Sequence, residues 1–206
     1  MTISYKNLIK GTYFPPGDKS ISHRILILAG QAIGKSQVTN LLEGEDVINT
    51  LKAMKMLGSK IIKKKGRYII FGIPPGAVFQ PLKPIDFGNS GTGIRLLSGI
   101  IASNNITVKL IGDKSLSKRP MKRVTEHLEK IGAIIKLKNK AYPPIHIQGI
   151  GDAIPKKYNI IIPSAQIKSA IMLSALNTKG LVEIKEFNST RDHTENMLKA
   201  MGYNIK

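Results

Sequence analysis

The chain has 206 residues, of which 42% are hydrophobic and 22% charged, and it contains no cysteine. This length and composition allow a sizeable core and exclude an intrinsically disordered segment, while the lack of thiols excludes disulfides, thiolate metal sites and cysteine nucleophiles. The net charge of +19 leaves nucleic acid, an acidic membrane surface and an anionic small molecule open as partners.

The N-terminal ten residues contain no apolar signal core, and the mostly apolar run 25–33 is too short to span a bilayer. The absence of cysteine fits a reducing compartment. We therefore expect a cytoplasmic protein without a membrane partner.

A helix that is apolar on nearly all sides is predicted over residues 20–33, and such a helix is usually buried. It is followed by an amphipathic helix over 46–58, which ends in a glycine suited to a left-handed C-cap. The later predicted elements repeat this pattern: buried helix 90–102, strand 106–110, amphipathic helix 121–132, strand 159–162, buried helix 164–176 and amphipathic helix 192–202.

Two markers report one repeat length. The buried helices open at residues 20, 90 and 164, and the amphipathic helices end at Gly58, Gly132 and Gly202, so both sets are spaced by 70 or 74 residues. We therefore predict an α/β (α+β) fold built from three copies of one α/β unit, which could pack about a pseudo-threefold axis. The third unit stops where its second helix meets a strand, so we expect it to be truncated.

The three buried helices would gather their N-termini, and therefore their positive dipole ends, at one end of the fold. Lys19, Ser20 and Arg24 lie within about the first turn of the first helix, residues 89–92 open the second and residues 164–166 open the third. This arrangement favours a phosphate site, with ordinary helix capping as the alternative.

Other phosphate and metal motifs fit poorly. Asp18 separates the glycine and lysine that are adjacent in a Walker loop, and residues 91–95 lack the third glycine of a dinucleotide loop. The four histidines are scattered without metal-ligand spacing. We expect neither a metal nor a cofactor.

Five segments resemble, in order, the signatures of the 5-enolpyruvylshikimate-3-phosphate synthase (3-phosphoshikimate 1-carboxyvinyltransferase) family: PGDKSISHR at 16–24, GNSGTGIR at 88–95, GDKSLSKRPM at 112–121, PSAQIKSA at 163–170 and TRDHTE at 190–195. The resemblance implies the enolpyruvyl transferase fold, with two lobes of three units each. Each lobe would consist of three repeated βαβαββ-type units about a pseudo-threefold axis, with parallel buried helices inside and sheets outside. Residues 1–14 would then belong to the other lobe. Residues 15–206 would form one lobe with its third unit truncated, and the second lobe would be absent.

The resemblance implies transfer of the enolpyruvyl group from phosphoenolpyruvate to the 5-hydroxyl of shikimate 3-phosphate, with release of phosphate, in the shikimate pathway to chorismate and aromatic amino acids. Lys19 would be catalytic and would assist the departing phosphate. The residues implied for shikimate 3-phosphate are Lys19, Ser20, Arg24, Ser164, Ala165, Gln166 and Arg191. Those implied for phosphoenolpyruvate are Lys19, Gly91, Arg119 and Gln166. In the family the proton-transferring carboxylates come from the second lobe, so we expect the chain alone to be inactive and to need that C-terminal lobe as a partner.

The acidic residues Asp18, Asp46, Asp86 and Asp113 are interpreted as caps, turns or motif spacers, and Arg95 as a packing residue. Ala165 and His23 stand where some relatives have serine and asparagine. Gly91 stands where some relatives have an alanine that narrows the phosphoenolpyruvate pocket against glyphosate. We therefore expect the complete enzyme, a monomer, to be inhibited by glyphosate.

Three alternatives remain open. The first is the related transferase that acts on a UDP-sugar. Its sequence pattern contains a lysine-asparagine pair and usually a cysteine, whereas this chain has Lys19-Ser20 and no cysteine. A basic nucleic-acid-binding module would need aromatic stacking platforms, but aromatic residues make up 5% of the chain and tryptophan is absent, so we expect no nucleic-acid partner. The third alternative is a folded but inactive substrate-binding lobe.

Overall fold

The computed structural model describes residues 10–205. The predicted segment 1–14 of the other lobe therefore lies mostly outside the described residues. Within the described part, helices and strands alternate in three consecutive groups, which match the three predicted repeats.

The first group contains two helices and a three-stranded sheet. Its elements are α1 (Lys19–Gln31), β1 (Gly34–Val38), α2 (Glu45–Met56), β2 (Lys60–Lys64) and β3 (Arg67–Gly72). The sheet order is β1-β3-β2 with both pairs antiparallel. α1 ends two residues earlier than predicted because Ala32 is extended and Gly34 turns the chain into β1 with φ +99°.

The second group repeats this arrangement with one further strand. Its elements are β4 (Ile85–Asp86), α3 (Gly91–Ala102), β5 (Thr107–Ile111), a 3₁₀ turn (Leu116–Lys118), α4 (Lys122–Glu129), β6 (Ile134–Lys138) and β7 (Tyr142–Gln148). The sheet order is β4-β5-β7-β6, in which β4 and β5 are parallel and the other pairs antiparallel.

The third group also contains two helices, but its sheet has only two strands among the described residues. Its elements are β8 (Lys157–Ile160), α5 (Ala165–Ala175), β9 (Glu183–Glu186) and α6 (His193–Ala200). The two strands pair in parallel, as β4 and β5 do. A hairpin follows α2 and α4, whereas residues 201–205 after α6 contain no strand. The predicted strand 159–162 lies two residues earlier than expected because Ile161 and Ile162 are exposed beyond the sheet.

The core contains the three helices that the sequence predicts to be buried. α3 packs against both α1 and α5, and Gly99 allows the closest approach, because a methyl group there would overlap the Ala170 carbonyl of α5. Arg24 of α1 reaches Ser169 of α5 at 2.7 Å. The buried helices are thus confirmed, and their mutual packing brings their first turns to one end of the fold.

The predicted helix ends are also confirmed. Gly58, Gly132 and Gly202 follow α2, α4 and α6 with φ of +111°, +106° and +86°, the left-handed conformation that terminates helices. Within residues 10–205, none of the helices has both the length and the apolar character needed to cross a membrane.

Candidate active site

A cleft of about 290 Å³ opens where α1, α3 and α5 begin. Lys19 is the first residue of α1, Gly91 is the first of α3 and Gln166 is the second of α5. Within residues 10–205, the lining consists of Lys19, Glu45, Asp46, Asn89, Gly91, Thr92, Arg95, Arg119 and Gln166. All four residues predicted for phosphoenolpyruvate, Lys19, Gly91, Arg119 and Gln166, therefore lie in one cleft.

Each of the three helices begins with a side-chain cap. Asp18, Ser90 and Ser164 accept hydrogen bonds from the backbone N–H three residues on, at 2.8, 3.2 and 3.3 Å. Such caps fix where each helix begins. Because the positive end of a helix dipole lies at its N-terminus, the cleft receives three favourable dipoles for an anion.

Arg95 organises the wall of the cleft between α3 and α5. Its guanidinium donates to the Gly91 carbonyl at 3.2 Å, to Gln166 Oε1 at 3.1 Å and to the Pro120 carbonyl at 3.1 Å. Gln166 in turn donates to Thr92 Oγ1 at 3.0 Å. These contacts agree with the packing role predicted for Arg95, and they orient Gln166.

The positive charges around the cleft are close enough to affect one another. Burial lowers the pKa of Arg95 from its ordinary value, and the charges of Arg119 and Arg123 lower it further. Arg119 itself is exposed, and its Nη2 donates to Ser115 Oγ at 3.2 Å. Like charges held together favour an anion between them, as two guanidinium groups do with phosphate.

Lys19 is paired with an acidic residue of α2. Its Nζ lies 2.6 Å from Asp46 Oδ2. Burial raises the pKa of Asp46, but opposing effects, led by the hydrogen bond from Lys19, outweigh it, so the pKa lies below its ordinary value. Asp46 is therefore ionised near neutral pH, and it fixes the position of the Lys19 ammonium group.

A second group of predicted residues surrounds Ser20 beside the cleft. Arg191 Nη1 donates to Ser20 Oγ at 3.3 Å, and Arg24 Nη1 donates to the Ser20 carbonyl at 3.0 Å. Arg24 is only 4% exposed, and it also donates to Thr194 Oγ1 at 2.8 Å and to Ser169 Oγ at 2.7 Å.

Burial lowers the pKa of Arg24, and the charge of Arg191 adds to this effect. Ser164 and Ala165 lie at the beginning of α5, next to Gln166. The structure thus brings together all seven residues predicted for shikimate 3-phosphate, although it buries Arg24 in contacts within the protein. Direct contact between these residues and a substrate remains a prediction.

Three of the four aspartates have the local roles that the sequence predicts. Asp18 caps α1, Asp86 Oδ1 accepts the Gly88 N–H at 2.8 Å, and Asp113 Oδ1 accepts the Leu116 N–H at 2.7 Å. Asp46 is different, because it lines the cleft and binds Lys19. The prediction that Asp46 is only a cap, turn or motif spacer is therefore wrong. Asp46 meets Lys19 because α2 packs against α1.

Glu45 also lines the cleft although the sequence did not predict a site role for it, whereas Asn89 and Thr92 belong to the helix opening 89–92 that was predicted to border a phosphate site. The only sequence signal for Glu45 and Asp46 was their position at the start of an amphipathic helix, which is equally typical of acidic residues that favour a helix N-terminus. No local pattern distinguishes that stabilising role from a position in the cleft.

The chain was compared with protein families, with individual proteins and with solved structures, and all three comparisons find the same family. The family model described as EPSP synthase (3-phosphoshikimate 1-carboxyvinyltransferase) matches residues 4–206. A 3-phosphoshikimate 1-carboxyvinyltransferase of Zymomonas mobilis is 47% identical over 198 residues, which are 96% of this chain and 44% of that protein. One from Ruegeria sp. is 43% identical over 206 residues, which are 100% of this chain and 46% of that protein.

A solved structure of EPSP synthase from Acinetobacter baumannii superposes with a TM-score of 0.90 at 40% sequence identity. The match covers 95% of this chain and 44% of that one. The chain therefore spans less than half the length of the relatives it matches. Family model, sequence identity and fold agree, and the chain belongs to the EPSP synthase (3-phosphoshikimate 1-carboxyvinyltransferase) family.

Proposed function

We propose that this chain is the part of an EPSP synthase that holds the phosphate groups of its two substrates. The complete enzyme transfers the enolpyruvyl group from phosphoenolpyruvate to the 5-hydroxyl of shikimate 3-phosphate and releases phosphate. The observation that carries the proposal is the cleft lined by Lys19, Gly91, Arg119 and Gln166, because these residues match the family motifs and lie together around three helix starts.

The cleft suits the binding of phosphoenolpyruvate and the departure of its phosphate group. In the reaction, C3 of phosphoenolpyruvate takes up a proton while the 5-hydroxyl oxygen loses its proton and bonds to C2. A proton then leaves C3 of the tetrahedral intermediate as the C2–O bond to phosphate breaks, which re-forms the double bond of the enolpyruvyl group. Lys19 and Arg119 stabilise the charge that moves onto the departing phosphate. Gly91 gives that phosphate close access to the backbone of α3, and Gln166 is held in place by Arg95 and Thr92.

Shikimate 3-phosphate would lie next to this cleft, against the start of α5. Ser164, Ala165 and Gln166 lie at the beginning of that helix. Arg24 connects Ser20 to α5, because its guanidinium donates to the Ser20 carbonyl and to Ser169 Oγ. Arg24 acts on the same substrate either directly, through guanidinium hydrogens not used within the protein, or by holding Ser20. Lys19 would contact both substrates.

Proton transfer requires an acid and a base in addition to these cations. Asp46 is engaged with Lys19, so the proposal places the proton-transferring carboxylates in the remaining part of the enzyme. In this proposal the third unit of residues 15–206 is truncated, residues 1–14 belong to the other lobe, and the 206-residue chain binds substrate without turnover. The complete enzyme is a cytoplasmic monomer inhibited by glyphosate.

Calorimetric titration of the chain with phosphoenolpyruvate and shikimate 3-phosphate tests the binding part of this proposal. Replacing Arg119 with Ala removes a charge-assisted contact, so we expect phosphoenolpyruvate affinity to fall by about 1.5–3 kcal/mol, or roughly 10- to 150-fold. Arg67→Ala is the matched control, because Arg67 is exposed at the beginning of β3 and does not line the cleft.

Phosphate release tests the catalytic part. We expect no turnover from the 206 residues alone and measurable turnover when they are joined to the C-terminal part of the Zymomonas mobilis relative. Turnover by the chain alone would contradict the assignment of the proton-transferring groups. Equal phosphoenolpyruvate affinity in the Arg119→Ala and Arg67→Ala variants would contradict the assignment of the cleft.

A further inference from the structure

His23 is a buried polar residue to which the proposed function assigns no part. It lies one turn after Lys19 on α1, and its side chain is fully buried. Nδ1 is 2.8 Å from Thr50 Oγ1 of α2, and Nε2 is 3.6 Å from Asp46 Oδ2. Among the described residues Nε2 has no hydrogen-bond partner, although it is directed at the carboxylate that holds Lys19.

The protonation of the ring follows from its surroundings. Burial lowers the pKa of His23 to about 4, the charges of Lys19 and Arg24 act in the same direction, and Asp46 opposes them. The ring is therefore neutral near neutral pH and carries one proton, whose position is assigned from the neighbours.

Two positions of this proton are possible. With the proton on Nε2, the Thr50 hydroxyl donates to Nδ1 at 2.8 Å instead of to the Asp46 backbone carbonyl at 3.3 Å, and an N–H points at the Asp46 carboxylate. With the proton on Nδ1, a lone pair would face that carboxylate instead. Electrostatics favours the first arrangement, so we assign the proton to Nε2.

Asp46 is held on two sides by this arrangement. Its Oδ1 accepts the Val47 N–H at 3.0 Å, and its Oδ2 lies between the His23 ring and the Lys19 ammonium group. The Lys19 side chain is 57% exposed, and a long flexible lysine in such a position samples many rotamers unless it is anchored. Because an ammonium group has three donors, the contact with Asp46 leaves donors available to an anion.

We propose that His23 is a positioning residue that acts through Asp46: its Nε2–H aligns the carboxylate, and the carboxylate keeps the Lys19 ammonium group in the cleft. The link from His23 through Asp46 to Lys19 is a property of the folded chain. Its effect on substrate rests on the proposed function, because it requires Lys19 to bind the phosphoenolpyruvate phosphate.

Two substitutions separate the two ring nitrogens. Asparagine places a polar atom near the position of Nδ1, which can contact Thr50, but it is too short to reach Asp46. Glutamine places its amide nitrogen near the position of Nε2 and can donate to Asp46. We therefore expect His23→Asn to release Asp46 and His23→Gln to retain most of the native contact.

The first readout is the mobility of the Lys19 ammonium group, measured by ¹⁵N relaxation in the 206-residue chain. We expect its order parameter to fall in His23→Asn and to return close to the native value in His23→Gln. The Lys63–Glu43 pair is the internal control, because its N···O distance is also 2.6 Å but it is exposed and lies outside the cleft.

The second readout is phosphoenolpyruvate affinity, measured by calorimetric titration. Loss of the aligning contact between Nε2–H and the Asp46 carboxylate should weaken binding by about two- to tenfold in His23→Asn, and His23→Gln should restore it. If the role of His23 were purely structural, both variants would lose thermal stability, and the mobility of the Lys19 ammonium group would not change relative to that of Lys63.

Thr50→Val provides an independent variant if either His23 substitution prevents folding. It removes the hydroxyl that holds Nδ1 and keeps a similar volume, so we expect Lys19 mobility to increase as in His23→Asn. Native Lys19 mobility in folded His23→Asn or Thr50→Val would overturn the proposal. If mobility changes as expected while Lys19→Met leaves phosphoenolpyruvate affinity intact, the His23 link is supported and the proposed function of the cleft is overturned.

Discussion

Gly91 is the first residue of α3 and lies beside the guanidinium groups of Arg95 and Arg119. A Cβ at this position would lie 3.0 Å from Arg119 Nη1 and 3.1 Å from Arg95 Nη1. Both neighbours are the far ends of flexible side chains, so they can move by a few tenths of an ångström without disturbing the core. The absence of a side chain at Gly91 thus determines where the two positive charges lie in the cleft.

We predict that Gly91→Ala weakens phosphoenolpyruvate binding by about 1 kcal/mol, or roughly fivefold, because both guanidinium groups shift. The free energy of unfolding should not decrease, since alanine favours helix more than glycine does. Calorimetric titration and urea unfolding measure the two effects. Gly151→Ala is the control, because its added Cβ would make only an ordinary 3.4 Å contact with Asn105, and unchanged affinity in Gly91→Ala would contradict the prediction.

His23 makes the stability of the chain depend on pH. Its pKa falls from 6.5 to about 4 on folding, mainly through burial. Between these two values the unfolded chain binds a proton that the folded chain does not. The contribution of His23 to stability is therefore complete above pH 6.5 and is lost progressively as the pH falls towards 4.

We predict a loss on the order of 3 kcal/mol in the free energy of unfolding across this window, from the size of the pKa shift. Urea unfolding at a series of pH values measures it. Because carboxyl groups also titrate near pH 4, the informative quantity is the difference in pH dependence between the native chain and His23→Asn. Parallel curves for the two proteins would show that His23 is not the source.

At the scale of elements, a buried ion cluster joins the parts of the third unit. Lys168 of α5 is 8% exposed, and its Nζ lies 2.6 Å from both Glu186 Oε2 of β9 and Glu195 Oε1 of α6. Burial raises the pKa of Glu186, but the hydrogen bonds from Lys168 and Thr190 outweigh it, so the pKa lies below its ordinary value. The cluster thus holds the loop that carries Arg191 between β9 and α6.

We predict that Lys168→Met lowers the free energy of unfolding by about 3 kcal/mol, because two largely buried carboxylates lose their shared cation. Lys157→Met is the matched control. Lys157 pairs with Glu183 of β9 at 3.0 Å, but its side chain is 79% exposed, and an exposed pair contributes about 0–1 kcal/mol. Equal destabilisation of the two variants in urea would show that the buried cluster contributes no more to the free energy of unfolding than the exposed pair does.

At the scale of the molecule, the third unit exposes a surface whose counterpart is covered by a hairpin in the first unit and in the second. A groove of about 1080 Å³ lies beside β8, β9, α5 and α6, where a hairpin follows the second helix in the first and second units. Leu181, in this groove, is 73% exposed. An exposed apolar groove of this size is typical of a surface that another segment covers.

We predict that joining the chain to the C-terminal part of a relative covers this groove. Binding of the apolar dye Nile red should be high for the 206-residue chain, lower in Leu181→Ser, and lowest in the joined protein. Equal dye binding by the chain and the joined protein would contradict the proposal that the third unit is truncated. The joined protein is also the one in which turnover and glyphosate inhibition are expected.

The sequence by itself determined the repeated helices and the motifs at their first turns. Buried helices are visible because they are apolar on all sides, and their ends are visible because caps such as Ser164 and glycines such as Gly58 act within a few residues. From these local signals the meeting of Lys19, Gly91 and Gln166 could be predicted, since parallel packed helices place their first turns together.

The tertiary structure alone decided which side chains from different elements meet. Asp46 contacts Lys19 across 27 residues, His23 faces Asp46, and Lys168 joins two glutamates from separate elements. These contacts depend on the rotation and spacing of packed helices, which a local pattern does not encode. An acidic residue in a first turn looks the same in the sequence whether it faces solvent or holds a lysine in the cleft.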